Sequence, residues 1–237
     1  GEKFTVYAKG EAGLSFRCSG VTNGIGSTEV APTNIRLNAV QAPATTQNIS
    51  WFAAPDYTAR NAVVQYTTEE AYISGNYSFT TVQGTSTVRS FTDGYQASLV
   101  NSVTLTGLTP ATTYSYRVGD GVEGHWSDVR TFTTAESGAE TSFFVMGDTQ
   151  LSGNVEADAA DIEVIHQIAE AIGNANTDFG IQTGDFIDNA GSLTAWNEIL
   201  DVFSDDFPAS SIVQVLGNHE YYGDLSGGHA MNIFGTP

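Results

Sequence analysis

From about residue 32 to 134 the chain runs in short segments, several of which alternate apolar and polar positions, the period of strands with one buried face. Such runs fall at residues 34–37, 48–52, 62–66, 102–106, 113–118 and 126–133, separated by turn residues, and predict a β-sandwich over 32–134. A small, polar linker follows at 135–140. The period then changes. Residues 143–146, 179–182 and 212–216 read as buried strands, while 155–172 carries Ile162, Ile165, Ile168, Ala169 and Ile172 on one helical stripe. Asp and Glu fill the first turns of that helix and Gly173 is placed to cap its C-terminus. A second helix is predicted over 193–203, ended by Pro208. Strand, helix, strand, helix, strand is the order of a parallel sheet with crossover helices, here over 141–237. Three strands and two helices leave one face of that sheet without a cover. Residues 4–8 and 14–17 fit a hairpin, and the place of 1–31 stays open between an extra strand pair and the tail of a preceding domain.

Each predicted parallel strand runs straight into a polar block. The blocks are Gly147-Asp148-Thr149-Gln150, Gly184-Asp185-Phe186-Ile187-Asp188-Asn189 and Gly217-Asn218-His219-Glu220. A residue directly after an apolar strand is delivered to the strand's C-terminal edge, where open α/β sheets bind ligands. Oxygen and imidazole groups on one rim are what divalent metals take. The spacing agrees: 37 residues separate Asp148 from Asp185 and 33 separate Asp185 from Asn218, each room for one helix and one return strand.

The three blocks resemble those of the calcineurin-like metallophosphoesterases, Asp-x-His, Gly-Asp-x-x-(Asp/Tyr) and Gly-Asn-His-(Asp/Glu). Upstream, Leu105-Thr106-Gly107-Leu108-Thr109-Pro110-Ala111-Thr112-Thr113-Tyr114-Ser115-Tyr116-Arg117-Val118 resembles the E–F corner of fibronectin type III domains, with Trp51 as core aromatic. Purple acid phosphatases carry such a sandwich before their catalytic domain. The fold class implied is multidomain, β plus α/β: a fibronectin type III-like sandwich followed by the first half of a metallophosphoesterase αββα sandwich.

The same resemblance implies hydrolysis of phosphoesters at a dinuclear centre by a metal-bound hydroxide. Asp185 would bridge both metals, Asp148 and Gln150 would serve the first, and Asn218 would serve the second through its amide oxygen. His219 would stand near the leaving-group oxygen as stabiliser or proton donor, and Asp188, Asn189 and Glu220 would orient these groups from behind. Two divalent or trivalent ions are implied, among Mn, Fe, Zn, Mg and Ca. Three departures from the family pattern matter. Gln150 replaces the usual His, a harder and weaker donor that turns the first site away from Zn. Asp188 stands where purple acid phosphatases have a metal-bound Tyr, so no purple colour is expected. The later His blocks are absent: 17 residues follow Glu220, and their one histidine is His229, in Gly227-Gly228-His229-Ala230. The chain is therefore expected to be the front portion of a longer protein, poorly active alone, whose partner is the remaining C-terminal part of the catalytic domain. The alternative is an extracellular binding or cell-surface protein with an inactive phosphoesterase-like lobe; downstream Gly-His-x-His would decide between them.

Charge sharpens the chemistry. Of the net −19, residues 1–130 carry ten acids and all eight bases, and residues 131–237 carry 17 acids and no base. Such a lobe attracts neither nucleic acid nor an anionic membrane surface, and no run of about 18 apolar residues predicts membrane insertion. With no Lys or Arg in the lobe, positive charge for a phosphoryl group must come from metal. The start at Gly1-Glu2-Lys3, without Met or apolar leader, predicts a processed or trimmed chain, extracellular or in the cell envelope. Cys18, the single cysteine, excludes an internal disulfide and reads as a small incidental thiol. Asn48 and Asn76 open glycosylation sequons; His125 is expected in solvent and His166 half-buried on its helix.

Overall fold

The computed structural model describes residues 3–9, 15–21, 32–54, 61–93, 97–138, 140–175 and 177–235. Leu14, Ala139 and the Cys18 thiol lie outside them. At the N-terminus β1 (Lys3–Lys9) and β2 (Ser15–Val21) pair as a separate antiparallel hairpin.

The sandwich follows. β3 (Thr33–Asn38), β4 (Thr46–Ala53), β7 (Thr85–Ser90) and β8 (Ala97–Thr106) form one layer in the order β3-β4-β8-β7. β5 (Val63–Thr68), β6 (Thr80–Gln83), β9 (Thr113–Gly119) and β10 (Arg130–Thr133) form the other, in the order β10-β9-β5-β6. Inward-facing Ile35, Leu37, Ile49, Trp51, Val64, Val103, Leu105, Tyr116, Val118 and Phe132 fill the space between them. This is the fibronectin type III-like arrangement, and its corner is closed as the sequence predicts: the Tyr114 hydroxyl accepts from Thr109 N–H at 2.9 Å.

Several local expectations need correction. The last strand is only Arg130–Thr133, because Ser127 meets Val118 in a single irregular pair, Ser127 N–H to Val118 O at 2.9 Å, instead of a regular ladder from Trp126. A short helix, α1 (Glu69–Ser74), interrupts the strands; Thr68 caps it, two acids follow, and Gly75 closes it at φ 71°. Asn48 is buried in β4 with Nδ2 donating to Ser102 and Thr104 hydroxyls, so its sequon is closed to a glycan in the folded chain, whereas Asn76 is exposed. His125 is not in open solvent: its Nδ1 lies 2.8 Å from Asp120 Oδ2.

The acidic half builds the parallel unit. β11 (Phe143–Met146), α2 (Val155–Ala175), β12 (Phe179–Gln182), α3 (Leu193–Asp206) and β13 (Ser211–Gln214) alternate, with β11-β12-β13 paired in parallel. α2 runs through Gly173 to Ala175, since nothing turns the backbone at that glycine, and α3 starts from an N-cap at Ser192. The helices cover the sheet face that presents Phe144 and Ile212, and Phe186, Trp196, Ile199 and Phe203 fill that core. His166 is exposed on α2, bonded to Asp206 of α3 at 2.6 Å. On the opposite face Phe143, Val145 and Val215 are exposed.

The two halves share one sheet. β13 pairs in parallel with β3, Ser211 opposite Leu37 and Ile212 opposite Asn38, so seven strands run β11-β12-β13-β3-β4-β8-β7. Around this seam Arg36 is buried without a carboxylate partner among the described residues. Its Nε and Nη2 donate to the Ile233 carbonyl at the end of α4 (Gly228–Ile233), its Nη1 donates to Asn34 O at 2.7 Å, and its guanidinium lies between the Phe52 and Phe234 rings. Burial lowers its pKa to about 9.

Candidate active site

The parallel register sets Met146, Gln182 and Gln214 side by side, so the three polar blocks leave the sheet at the same edge. They stay knitted beyond it. Asp148 N–H donates to Gly184 O at 3.2 Å, Gln150 N–H to Asp185 O at 3.0 Å, and Asp188 N–H to Leu151 O at 3.0 Å, with Leu151 and Ile187 forming a last parallel bridge. Blocks one and two therefore run together as extended loops.

Backbone strain is concentrated here. Five non-glycine residues among those described have left-handed φ, and three are Asp148 (54°), Gln150 (42°) and Asp185 (53°). Each costs on the order of 1 kcal/mol for an L-residue. The three positions are all candidate ligands. Two glycines make the close approach of blocks two and three feasible. A Cβ on Gly217 would collide with Asp185 Oδ1, and one on Gly184, itself at φ 108°, would press on Gly217 N.

Blocks two and three are joined by side chains as well. Glu220 is fully buried, and its carboxylate accepts from Asp185 N–H (2.9 Å), Phe186 N–H (2.8 Å) and Gly217 N–H (2.6 Å). Asp185 Oδ1 accepts from His219 N–H at 2.9 Å, and its other oxygen takes no hydrogen bond from the described residues. His219 Nδ1 lies 2.8 Å from Asp188 O. A carbonyl only accepts, so Nδ1 carries the hydrogen and Nε2 is the nitrogen left to exchange a proton. Asn218 Nδ2 donates to the Tyr222 hydroxyl at 3.0 Å, and Gln150 Nε2 reaches Asp148 Oδ1 at 3.4 Å. Asn189 Oδ1 accepts from Gly191 N–H and shapes its own turn.

The structure thus brings Asp185, His219 and Glu220 into direct contact, sets Asp148 against Gln150, and turns Asn218 toward Tyr222. Among the described residues no three His, Cys, Asp or Glu side chains stand together as a metal-holding group. The donors at the rim are two carboxylates and two amides, all oxygen, with Asp148, Gln150 and Asn218 exposed and Asp185 partly so. That oxygen donor set fits a hard cation. His229 is elsewhere: Nε2 meets Ser90 O at 3.1 Å, the ring lies on Phe91, and Nδ1 sits 2.8 Å from Asp224 Oδ2 at an angle that makes no hydrogen bond.

Sequence reasoning missed three supports. Gln182 and Gln214 are buried, bonded to each other at 3.0 Å, and Gln182 clasps Gly184 through both its N–H and its carbonyl. Their signal was available: a glutamine ends the second and the third apolar strand, whereas the first ends at Met146. Tyr222 is the second, two residues past the third block. The third, Asp93, comes from the sandwich and accepts from Ser192 Oγ–H, Leu193 N–H and Thr194 N–H, each at 2.9 Å, at the start of α3. Burial pushes its pKa up, but these donors outweigh it and the net shift is downward. Nothing local in the sequence links it to α3.

Residues 32–134 match the family model for the purple acid phosphatase N-terminal domain. The chain as a whole has the fold of the N-terminal part of such a protein. It superposes on purple acid phosphatase PPD1 from yellow lupin (Lupinus luteus) seeds with a TM-score of 0.66 at 17% identity, covering 87% of this chain and 41% of that one. A PhoD structure aligns with a TM-score of 0.49 at 12% identity over 81% of this chain and 40% of that one. The fn3 domain of human contactin 1 aligns with a TM-score of 0.32 at 19% identity over 47% of this chain and 82% of that one. No curated protein matches. The chain spans well under half the length of the purple acid phosphatase it resembles.

Proposed function

We propose that this chain is the N-terminal part of a metal-dependent phosphoesterase. The observation that carries the reading is the rim itself: three polar blocks at one edge of a parallel sheet, with left-handed backbone at Asp148, Gln150 and Asp185. The purple acid phosphatase-like fold supports it. Asp148 and Gln150 would hold one ion, Asn218 a second, and Asp185 both. Ions held there supply the positive charge that the lobe's own side chains lack and activate water.

The chain's own residues do the rest. Glu220 fixes the backbone of Asp185 and Gly217 from below, holding the bridging carboxylate in place. His219, its Nδ1–H tied to Asp188 O, presents Nε2 as the atom that, with the ring as imidazolium, would give its proton to a departing oxygen. The remaining ligands belong to a C-terminal part such as the longer relative carries, and the exposed face of Phe143, Val145 and Val215 would seat it. A location outside the cytoplasm belongs to the same reading, supported by the acid-rich surface; no helix among the described residues is long and apolar enough to cross a membrane.

Titration of the 237-residue chain with Mn²⁺, followed by the EPR signal of the free ion, tests this. One or more saturable sites are expected, lost in Asp185→Asn, together with weak, EDTA-sensitive hydrolysis of p-nitrophenyl phosphate. Absence of any saturable site would favour a binding protein with an inactive lobe.

A further inference from the structure

We infer that Gln182 and Gln214 form a positioning bridge beneath the rim, which fixes the peptide entering Asp185 and so sets the metal affinity of the site. The inference rests on the phosphoesterase reading and concerns two residues outside the three blocks. Gln182 ends β12 and Gln214 ends β13, directly opposite one another in the parallel register. Both are buried, on the strand face that also carries Gly180 and Ile212, where alternation calls for apolar side chains. A buried amide is costly unless it is hydrogen-bonded. These two are bonded, and to groups that matter for the rim.

Backbone groups assign the ends of both amides, since each has a single role. Gly184 N–H only donates, so the Gln182 atom 2.7 Å from it is Oε1; Gly184 O only accepts, so the atom 3.0 Å from it is Nε2. Gln214 Nε2 is fixed in the same way by Val215 O at 2.8 Å, and it also donates to Gln182 Oε1 at 3.0 Å. Gly184 O accepts from Asp148 N–H as well, and the other end of that peptide, Asp185 N–H, donates to Glu220. A peptide is planar, so the unit linking Gly184 to Asp185 is held at both ends, by Gln182 on its carbonyl and by Glu220 on its N–H. Gly184 at φ 108° and Asp185 at φ 53° are conformations that persist only under such restraint. A buried line of amides thus runs from the strand before the third block, through Gln182, to the backbone of both Asp148 and Asp185.

Mn²⁺ affinity of the 237-residue chain, read by EPR well below the unfolding midpoint, separates positioning from a merely structural role. Nearly every molecule is folded there, so a residue that only stabilises the lobe can be replaced without changing affinity. Gln182→Met keeps the length and loses both polar ends; it is expected to weaken binding about tenfold, the low end for groups that orient a ligand from behind. Gln214→Met leaves Gly184 paired with Gln182 and is the milder variant, expected to act in the same direction by a smaller factor. The double variant is expected to lose less than the product of the two, because Gln214 acts through Gln182 Oε1. Ile165→Val, in the lobe core on α2, is the control: a lower midpoint in EDTA with unchanged affinity. An affinity loss in Ile165→Val equal to that in Gln182→Met, or losses that simply multiply in the double variant, overturns the inference. If Asp185→Asn abolishes binding while both glutamine variants bind as the unsubstituted chain does, the phosphoesterase reading stands and this inference falls. If the unsubstituted chain has no saturable site, both fall.

Discussion

The sandwich and the acidic lobe reach a folded core by different routes. The sandwich core is made wholly of residues between Ile35 and Phe132. The lobe core is not self-contained: Phe52, Phe91 and Val100 of the sandwich sit inside it beside Phe186, Trp196 and Phe203. The lobe's third strand also takes its outer partner, β3, from the sandwich, and α3 takes its anionic cap, Asp93, from there. Charge follows the same division, with every base at or before Arg130 and 17 acids after it. A small parallel unit with an exposed sheet face and strained loops draws part of its core and an edge strand from its neighbour. The sandwich is thus a wall and a cap of the candidate site's scaffold, beyond any role as an appended module.

The sharpest way to break this comparison is Phe52→Ala. Phe52 belongs to a sandwich strand but packs in the lobe core and under Arg36. The change is expected to destabilise the lobe by roughly 3–4 kcal/mol and to separate one denaturation curve into two, with the Trp196 environment lost first. A single, unshifted transition would show that the lobe does not depend on its neighbour.

Asp93→Ala is the next step down. It removes a carboxylate from two N–H groups and a hydroxyl at the start of a 14-residue helix. A loss of about 1–2 kcal/mol is expected, with faster amide exchange at Leu193 and Thr194 and none at β9. Unchanged exchange at those two amides would remove the cap from the argument.

The smallest effect concerns pH and lies wholly inside the lobe. Glu198 of α3 and Asp158 of α2 are both buried and face one another over the loop Ser152–Asn154; Ser152 and Asn154 N–H donate to Asp158, and Gly153 N–H donates to Glu198. Burial first, then the Asp158 carboxylate, pushes Glu198 up to about 7. Asp158 is raised by burial but lowered more by its donors, Glu198 among them, and ends below its ordinary value. Of the two carboxyls, Glu198 is therefore the one that keeps its proton to higher pH. A carboxyl whose folded pKa is raised stabilises most below its unfolded value, 4.5, and loses that contribution as pH rises through about 7. The depressed Asp158 contributes above its ordinary 3.8 and loses it at lower pH. Stability is expected to fall by about 1 kcal/mol between pH 6 and 8.5, and Glu198→Gln should flatten that slope. An identical slope in both proteins would assign the pH dependence elsewhere.

Much of this was written in local pattern. The strand limits at 143–146 and 179–182 coincide with Phe143–Met146 and Phe179–Gln182, because an apolar run ended by Gly-Asp can satisfy its backbone only in a buried ladder. The corner at Tyr114 was legible through its resemblance to the fibronectin type III corner, and its hydroxyl does accept from Thr109 N–H. Local signals misled where a glycine or sequon had no local consequence: Gly173 continues the helix, and Asn48 is buried by its cross-strand neighbours.

The sequence by itself therefore determined the alternation of strands and helices in the acidic half, the strand-rich character of the first half and the edge from which the polar blocks emerge, since these depend on periodicity and on residues adjacent in the chain; it did not mark α1, β6, β7 or α4. The tertiary structure alone decided that β13 docks on β3, that Asp93 caps a helix about 100 positions away, that Glu220 gathers three backbone N–H groups, and that Tyr222 faces Asn218. Those choices rest on long-range contacts between groups with no periodic signature, where the winning partner is fixed only once the apolar faces have packed.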